Sequence, residues 1–188
     1  MGRQGRQRQV SAGVCVHIVR TLRLVLRQLE SSDAEFILEL LNEPSFLQFV
    51  GDKEVRNLTD ARAYISKGPM DSYVRHGFGL YAACLHDLTP IGICGLVKRE
   101  GLDDVDLGFA LLSRYRSKGY AVEAAAAVLI HARQAHRLQR IVAITSPGNL
   151  ASIAVLEKIG FKFEGTIRLA GQSRELKLFG SVDSGEGS

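Results

Sequence analysis

An apolar strand pattern, a basic loop and a long helical stretch follow one another directly between residues 105 and 136, and this succession limits the folds open to the chain. A loop leading from a strand into a helix points several backbone N–H groups at one spot, where the helix dipole adds positive potential. Gly119, at the start of the helical stretch, lets the backbone come close to a bulky anion because it has no Cβ. Ala121 keeps the first helical turn small, and Arg114, Arg116 and Lys118 place three cations within five residues. A diphosphate suits this chemistry; the plain alternative is an ordinary basic helix start.

The remaining pattern supplies a frame for that loop. Leu22, Leu24 and Leu26 alternate with Arg23, Val25 and Arg27, as in a half-buried strand. Ser32 and Glu35 have capping-box spacing, and Ala34, Ile37, Leu38 and Leu41 repeat at helical intervals until Pro44 ends the run. A second helical stretch begins near Thr59 and is interrupted at Gly68-Pro69. Residues 79–85 and 91–98 read as a hairpin, 105–112 as a fourth strand and 140–145 as a fifth. A helix over 151–159 stops at Gly160, and strands over 161–169 and 174–179 flank a turn at Ala170-Gly171-Gln172. This order predicts one mixed α/β domain over residues 21–180, with a central sheet of about seven strands.

Charge and cysteine usage narrow the function classes. The net charge of +4 comes from residues 1–20, which hold Arg3, Arg6, Arg8 and Arg20 and no acid; the remaining residues carry 20 basic and 20 acidic groups. The pattern predicts a flexible basic arm over 1–20 and a flexible tail over 181–188. A neutral body without aromatic residues among its basic ones argues against a nucleic-acid partner. No apolar run reaches the ~20 residues of a membrane span, and the first ten residues lack the apolar core of a secretory signal. Cys15, Cys84 and Cys94 lack metal-ligand spacing, as do the five histidines, so neither a metal nor a disulfide framework is expected and a reducing cytoplasm is the natural home.

Segments on both sides of the loop and further along the chain carry a resemblance. The run Leu107-Gly108-Phe109-Ala110-Leu111-Leu112 ahead of the loop and Tyr120-Ala121-Val122-Glu123-Ala124 after it resemble the GNAT acetyltransferase superfamily. So does Asn149-Leu150-Ala151-Ser152, followed by Leu156-Glu157-Lys158-Ile159-Gly160-Phe161, and the segments together are similar to the motifs of the branch typified by the RimJ and RimL ribosomal-protein acetyltransferases. So is the opening Leu22-Arg23-Leu24-Val25-Leu26-Arg27-Gln28-Leu29 with Asp33. The resemblance spans about residues 20–180. It implies a mostly antiparallel sheet splayed between its fourth and fifth strands, helices on both faces, and acetyl-CoA as cosubstrate in the opening. The pantetheine arm would pair with the end of the fourth strand, near Leu111 and Leu112. The diphosphate would rest on the amides of Arg116, Ser117, Lys118, Gly119, Tyr120 and Ala121, and Asn149 and Ser152 would lie against the arm and its sulfur.

The same resemblance implies an N-acetyltransferase acting by direct attack of a primary amine, as a monomer or homodimer; the alternative is a non-catalytic CoA-binding module of the same fold. Many members of the superfamily place a tyrosine, as general acid, where this chain has Leu156. Ser152 is then the candidate acid, or else a helix cap. Asp106 is the candidate base acting through water, or else a solvated edge carboxylate, while Glu123 is expected to organise the loop. A protein N-terminus, an aminoglycoside, a polyamine or another small amine all remain open as acceptor.

Overall fold

The computed structural model describes residues 16–169 and 174–181. Arg3, Arg6, Arg8, Cys15, the turn at 170–172 and residues 182–188 lie outside the described residues. Eight strands form one sheet: β1 (His17–Arg20), β2 (Leu24–Gln28), β3 (Leu80–Leu85), β4 (Pro90–Val97), β5 (Val105–Leu111), β6 (Ile141–Thr145), β7 (Phe161–Ile167) and β8 (Leu176–Ser181). Their spatial order is β1-β2-β3-β4-β5-β6-β8-β7, antiparallel throughout except at β5–β6. The expectation of about seven strands is corrected to eight, because β1 forms within the segment read as an arm. At the other end Ser181, assigned to the tail, closes β8, and its hydroxyl accepts the Ile141 N–H at 3.0 Å.

Helices cover both faces. On one side lie α1 (Ala34–Leu41), α2 (Pro44–Phe49) and α3 (Leu58–Ile65); on the other lie α5 (Tyr120–His136) and α6 (Leu150–Lys158), and α4 (Asp71–His76) stacks its Tyr73 on Tyr81 of β3. Pro44 does not merely end α1. It opens α2 at a first-turn position, where its missing N–H is no loss. Gly68-Pro69 likewise lies in a π-helical turn, Ser66–Met70, through which α3 passes into α4. The proline removes a donor, and the wider turn absorbs it without a break.

β2 departs most from the alternating pattern, since both its faces are covered. Leu24 and Leu26 pack towards α5. On the opposite face Arg27 is buried and grips the buried Asp33 with two bonds of 2.7 and 2.6 Å. Asp33 also accepts the Glu30 N–H at 2.9 Å, so the entry to α1 is fixed here rather than by the expected Ser32–Glu35 box. Breaking a buried pair leaves an uncompensated charge and typically costs about 3–5 kcal/mol. Asp33→Ala should therefore destabilise the protein by that order in denaturant unfolding. Asp52→Ala, which breaks an exposed pair with Arg56, should leave the unfolding midpoint close to that of the wild type.

Candidate active site

The two parallel strands share only the pairs Val105↔Ile141 and Asp106↔Val142. Beyond them β5 runs five residues and β6 three before either ends. The Asp106 carboxylate lies where the ladder stops: Oδ1 accepts the Ile144 N–H at 3.1 Å, and Oδ2 accepts Arg99 Nε at 2.5 Å. The residue is 1% exposed, which overturns the solvated-edge reading. Burial pushes its carboxyl above the usual range, although Arg99 and the Ile144 amide pull the other way.

Past Asp106 the strands part around a cleft of about 890 Å³. Gly108, Phe109 and Ala110 line one wall; residues 143–146, Asn149 and Ser152 line the other. Segments of α2, α3 and α4 close the front. Leu112 does not reach this space. It is fully buried, its N–H bonds Ile91 and its C=O accepts from Tyr115, so the expectation of a ligand contact there is corrected. The Leu111 carbonyl is taken by Arg116 Nε at 2.9 Å and Nη2 at 2.8 Å. Strand alternation puts the β6-facing backbone groups on Leu107, Phe109 and Leu111, so the open edge centres on Phe109.

The loop into α5 brings residues 117–122 together at one helix end. Gly119 is the residue before the helix, with φ of 81°, and Ser117 is also left-handed, with φ of 60°. Among the described residues the amides of 117–122 have no acceptor; the first helical bond at this end runs from Glu123 N–H to Gly119. The side chains are less available than the sequence suggested. Arg114 pairs with Glu39, and Arg116 turns back to Leu111 and to Glu43 Oε2 at 3.0 Å. Of the three cations, only Lys118 lacks a carboxylate among the described residues. An anion here would rest chiefly on backbone amides.

Glu123 does organise this end. It accepts Thr21 Oγ1 at 2.6 Å, the Arg23 N–H at 2.8 Å and Arg23 Nε at 2.6 Å. Burial raises the Glu123 carboxyl, but these donors outweigh it and hold it below the usual range. Arg23 also donates to the Lys118 carbonyl at 2.9 Å and lies 4.6 Å over the Tyr120 ring.

At α6 the roles of the two expected residues divide. Asn149 is the helix cap, its Oδ1 accepting the Ser152 N–H at 3.1 Å. Ser152 is therefore not the cap, and its hydroxyl, on the cleft wall, has no partner among the described residues. Leu156, one turn on, is 1% exposed. Sequence reasoning missed Glu43, which also accepts the Ser113 N–H at 2.9 Å, and Lys53, Tyr64 and Arg99 at the front of the cleft. Nothing in the local spacing around Glu43, which directly precedes Pro44, points to a loop 70 residues later.

The family model for the acetyltransferase (GNAT) domain matches residues 23–162. The chain belongs to the GNAT acetyltransferase family. As an acetyltransferase of that family it depends on acetyl-CoA. It is 30% identical over 148 residues to the uncharacterized N-acetyltransferase YnaD of Bacillus subtilis, covering 78% of this chain and 84% of that one. A GNAT-family acetyltransferase from Bacillus anthracis superposes with a TM-score of 0.72 at 25% identity, covering 88% and 97% of the two chains. RimJ of Mycobacterium smegmatis, solved with CoA-disulfide, shares the fold, with a TM-score of 0.71 at 23% identity over 86% and 82% of the chains. Among the described residues no cluster of His, Cys, Asp or Glu could hold a metal, and no helix is long and apolar enough to cross a membrane.

Asp106→Asn keeps an oxygen for the Ile144 N–H and removes the buried charge. A carboxyl with its folded value raised binds more protons folded than unfolded, so its contribution to stability falls as pH rises through the interval above ~3.9. Comparing unfolding of wild type and Asp106→Asn from pH 4 to 7, wild type should gain relative to the variant on acidification.

Proposed function

We propose that the cleft between β5 and β6 takes the acetylated pantetheine arm, that the diphosphate rests on the amides of residues 117–122, and that a neutral primary amine attacks from the α2–α4 side. The observation that carries this reading is a set of three unmet bonding surfaces, two on the cleft walls and one on the loop that follows β5. They are the open edge at Phe109, the amide cluster at Gly119, and the unpartnered Ser152 hydroxyl on the facing wall. Acetyl-CoA supplies an activated acetyl thioester. The Phe109 edge aligns the arm as an added strand would, and the Asn149 side-chain amide, with its oxygen engaged in capping, still has N–H donors to offer.

Ser152 donates a hydrogen bond to the sulfur as negative charge develops on it. A thiol has a pKa near ~8.5, so partial proton donation is enough to ease its departure. The α6 N-terminus adds its dipole at the same place. Asp106 is assigned to positioning: with both oxygens holding donors and almost no exposure, it sets where the strands part. Neutral amine is a minor fraction at pH 7, so the rate should rise with pH towards the acceptor's own pKa.

Two variants test this reading. Gly119→Val imposes a β-branched residue on a left-handed backbone and narrows the approach to the amides. Acetyl-CoA affinity, read by calorimetry on the folded variant, should fall ten-fold or more, which is ~1.4 kcal/mol. Ser152→Ala should lower kcat by about 10²-fold, at the low end of general-acid contributions, with acetyl-CoA affinity and melting temperature little changed because Asn149 supplies the cap. Tight acetyl-CoA binding without thiol release for any amine would instead support a CoA-holding module.

A further inference from the structure

Five basic and three acidic side chains line the cleft, and the acids are all engaged. Asp52 pairs with Arg56 at 2.5 Å, Asp71 with Arg75 at 2.8 Å, and Asp106 with Arg99 at 2.5 Å. Lys53, Lys98 and Arg174 have no carboxylate partner among the described residues. Lys98 donates to the carbonyls of Leu102, at 3.2 Å, and of Asp103, and Arg174 donates to the Gln48 carbonyl at 2.9 Å. Lys53 has no hydrogen bond there at all.

These charges are not spread evenly. Lys53 and Arg99 both line the cleft, and burial, with a smaller contribution from the Arg99 charge, lowers the lysine's pKa. Tyr64, also on the cleft wall, feels Arg99 as well, its hydroxyl raised by burial and pulled partly back by that cation. An ammonium, a hydroxyl and a guanidinium therefore line the same cleft as Asp106, and the guanidinium is tied to it at 2.5 Å. The group cannot serve the CoA diphosphate. Asp106 lies five residues from Leu111, after which the phosphate loop begins, and at ~3.3 Å per strand residue that is about 17 Å.

Resting on the acetyl-transfer reading above, we infer that the acceptor is an amine whose own molecule carries an anionic group, a carboxylate or a phosphate, beside the amine. An anion between Lys53 and Arg99 relieves their mutual repulsion and accepts from Tyr64. A cleft rich in one sign of charge concentrates the opposite sign and turns away its own, which disfavours polyamines and aminoglycosides. The same cations lower the pKa of an ammonium held nearby. This helps release the attacking amine where Asp106 is immobilised and cannot take the proton.

The test is thiol release from acetyl-CoA with matched acceptors: an L-amino acid against its carboxamide, O-phosphoethanolamine against ethanolamine, and spermidine as the polycation. Rates are compared per fraction of neutral amine, at two salt concentrations. At least one anionic member should exceed its neutral counterpart ten-fold or more in kcat/KM, with the advantage shrinking at high salt. The pair that shows it tells carboxylate from phosphate. Lys53→Glu should cut that preference about ten-fold while acetyl-CoA affinity stays at the wild-type value. If neutral amines or spermidine match the anionic acceptors, or Lys53→Glu leaves the preference intact, the inference falls and acetyl transfer stands. If none of the acceptors releases thiol, both fall.

Discussion

The Asp106 carboxylate ends the pairing of two parallel strands after two residues, and the rest of the site is arranged around that stop. Strands that part leave N–H and C=O groups facing empty space, and buried groups of that kind cost about 1–3 kcal/mol each when unmet. Here the Ile144 N–H is met by Asp106 and the Leu111 carbonyl by Arg116. The groups still open on β5 centre on Phe109, in the middle of the gap, where a ligand with amide groups can satisfy them. Arg99 offsets the burial of the Asp106 charge. The cleft is thus a gap in the sheet whose rims have been closed by side chains while its floor has been left for a ligand.

A second set of bonds ties this gap to the rest of the domain. Glu123 joins the first turn of α5 to Thr21 and Arg23, between β1 and β2. Glu43 joins the loop at Ser113 and Arg116 to the start of α2. Phe49, at the end of α2, accepts the Ser146 hydroxyl at 3.0 Å, next to the wall that carries Asn149. The loop that would hold a diphosphate and the helix that fronts the acceptor side therefore share one carboxylate, Glu43. A change in either region has a short path to the other.

The sequence made the backbone legible and left the side-chain partners hidden. Strand and helix periodicity located β3 to β6, α5 and α6 to within a residue or two, because their apolar stripes face a sheet or a helix directly. The failures have physical causes. Arg27 reads as the polar side of an alternating strand, yet it is buried, because its partner Asp33 lies six residues on and neutralises it. Pro44 and Pro69 read as stops, whereas a first-turn position and a π-helical turn accommodate them. At the site, the glycine and the small residue of the loop could be read, since they are backbone requirements. Arg116 looked like a phosphate ligand because local spacing says nothing of a glutamate 73 residues earlier. Asp106 looked solvated because strand alternation gives a face but not what covers it.

Hydrogen–deuterium exchange with and without acetyl-CoA probes the central claim directly, since it reads the amides said to be waiting for the ligand. The account predicts new protection at Phe109 and across residues 117–122, with Asp33 and α1 unchanged. Protection confined to other elements, with the Phe109 edge and the Gly119 amides exchanging as in the unliganded chain, would contradict it.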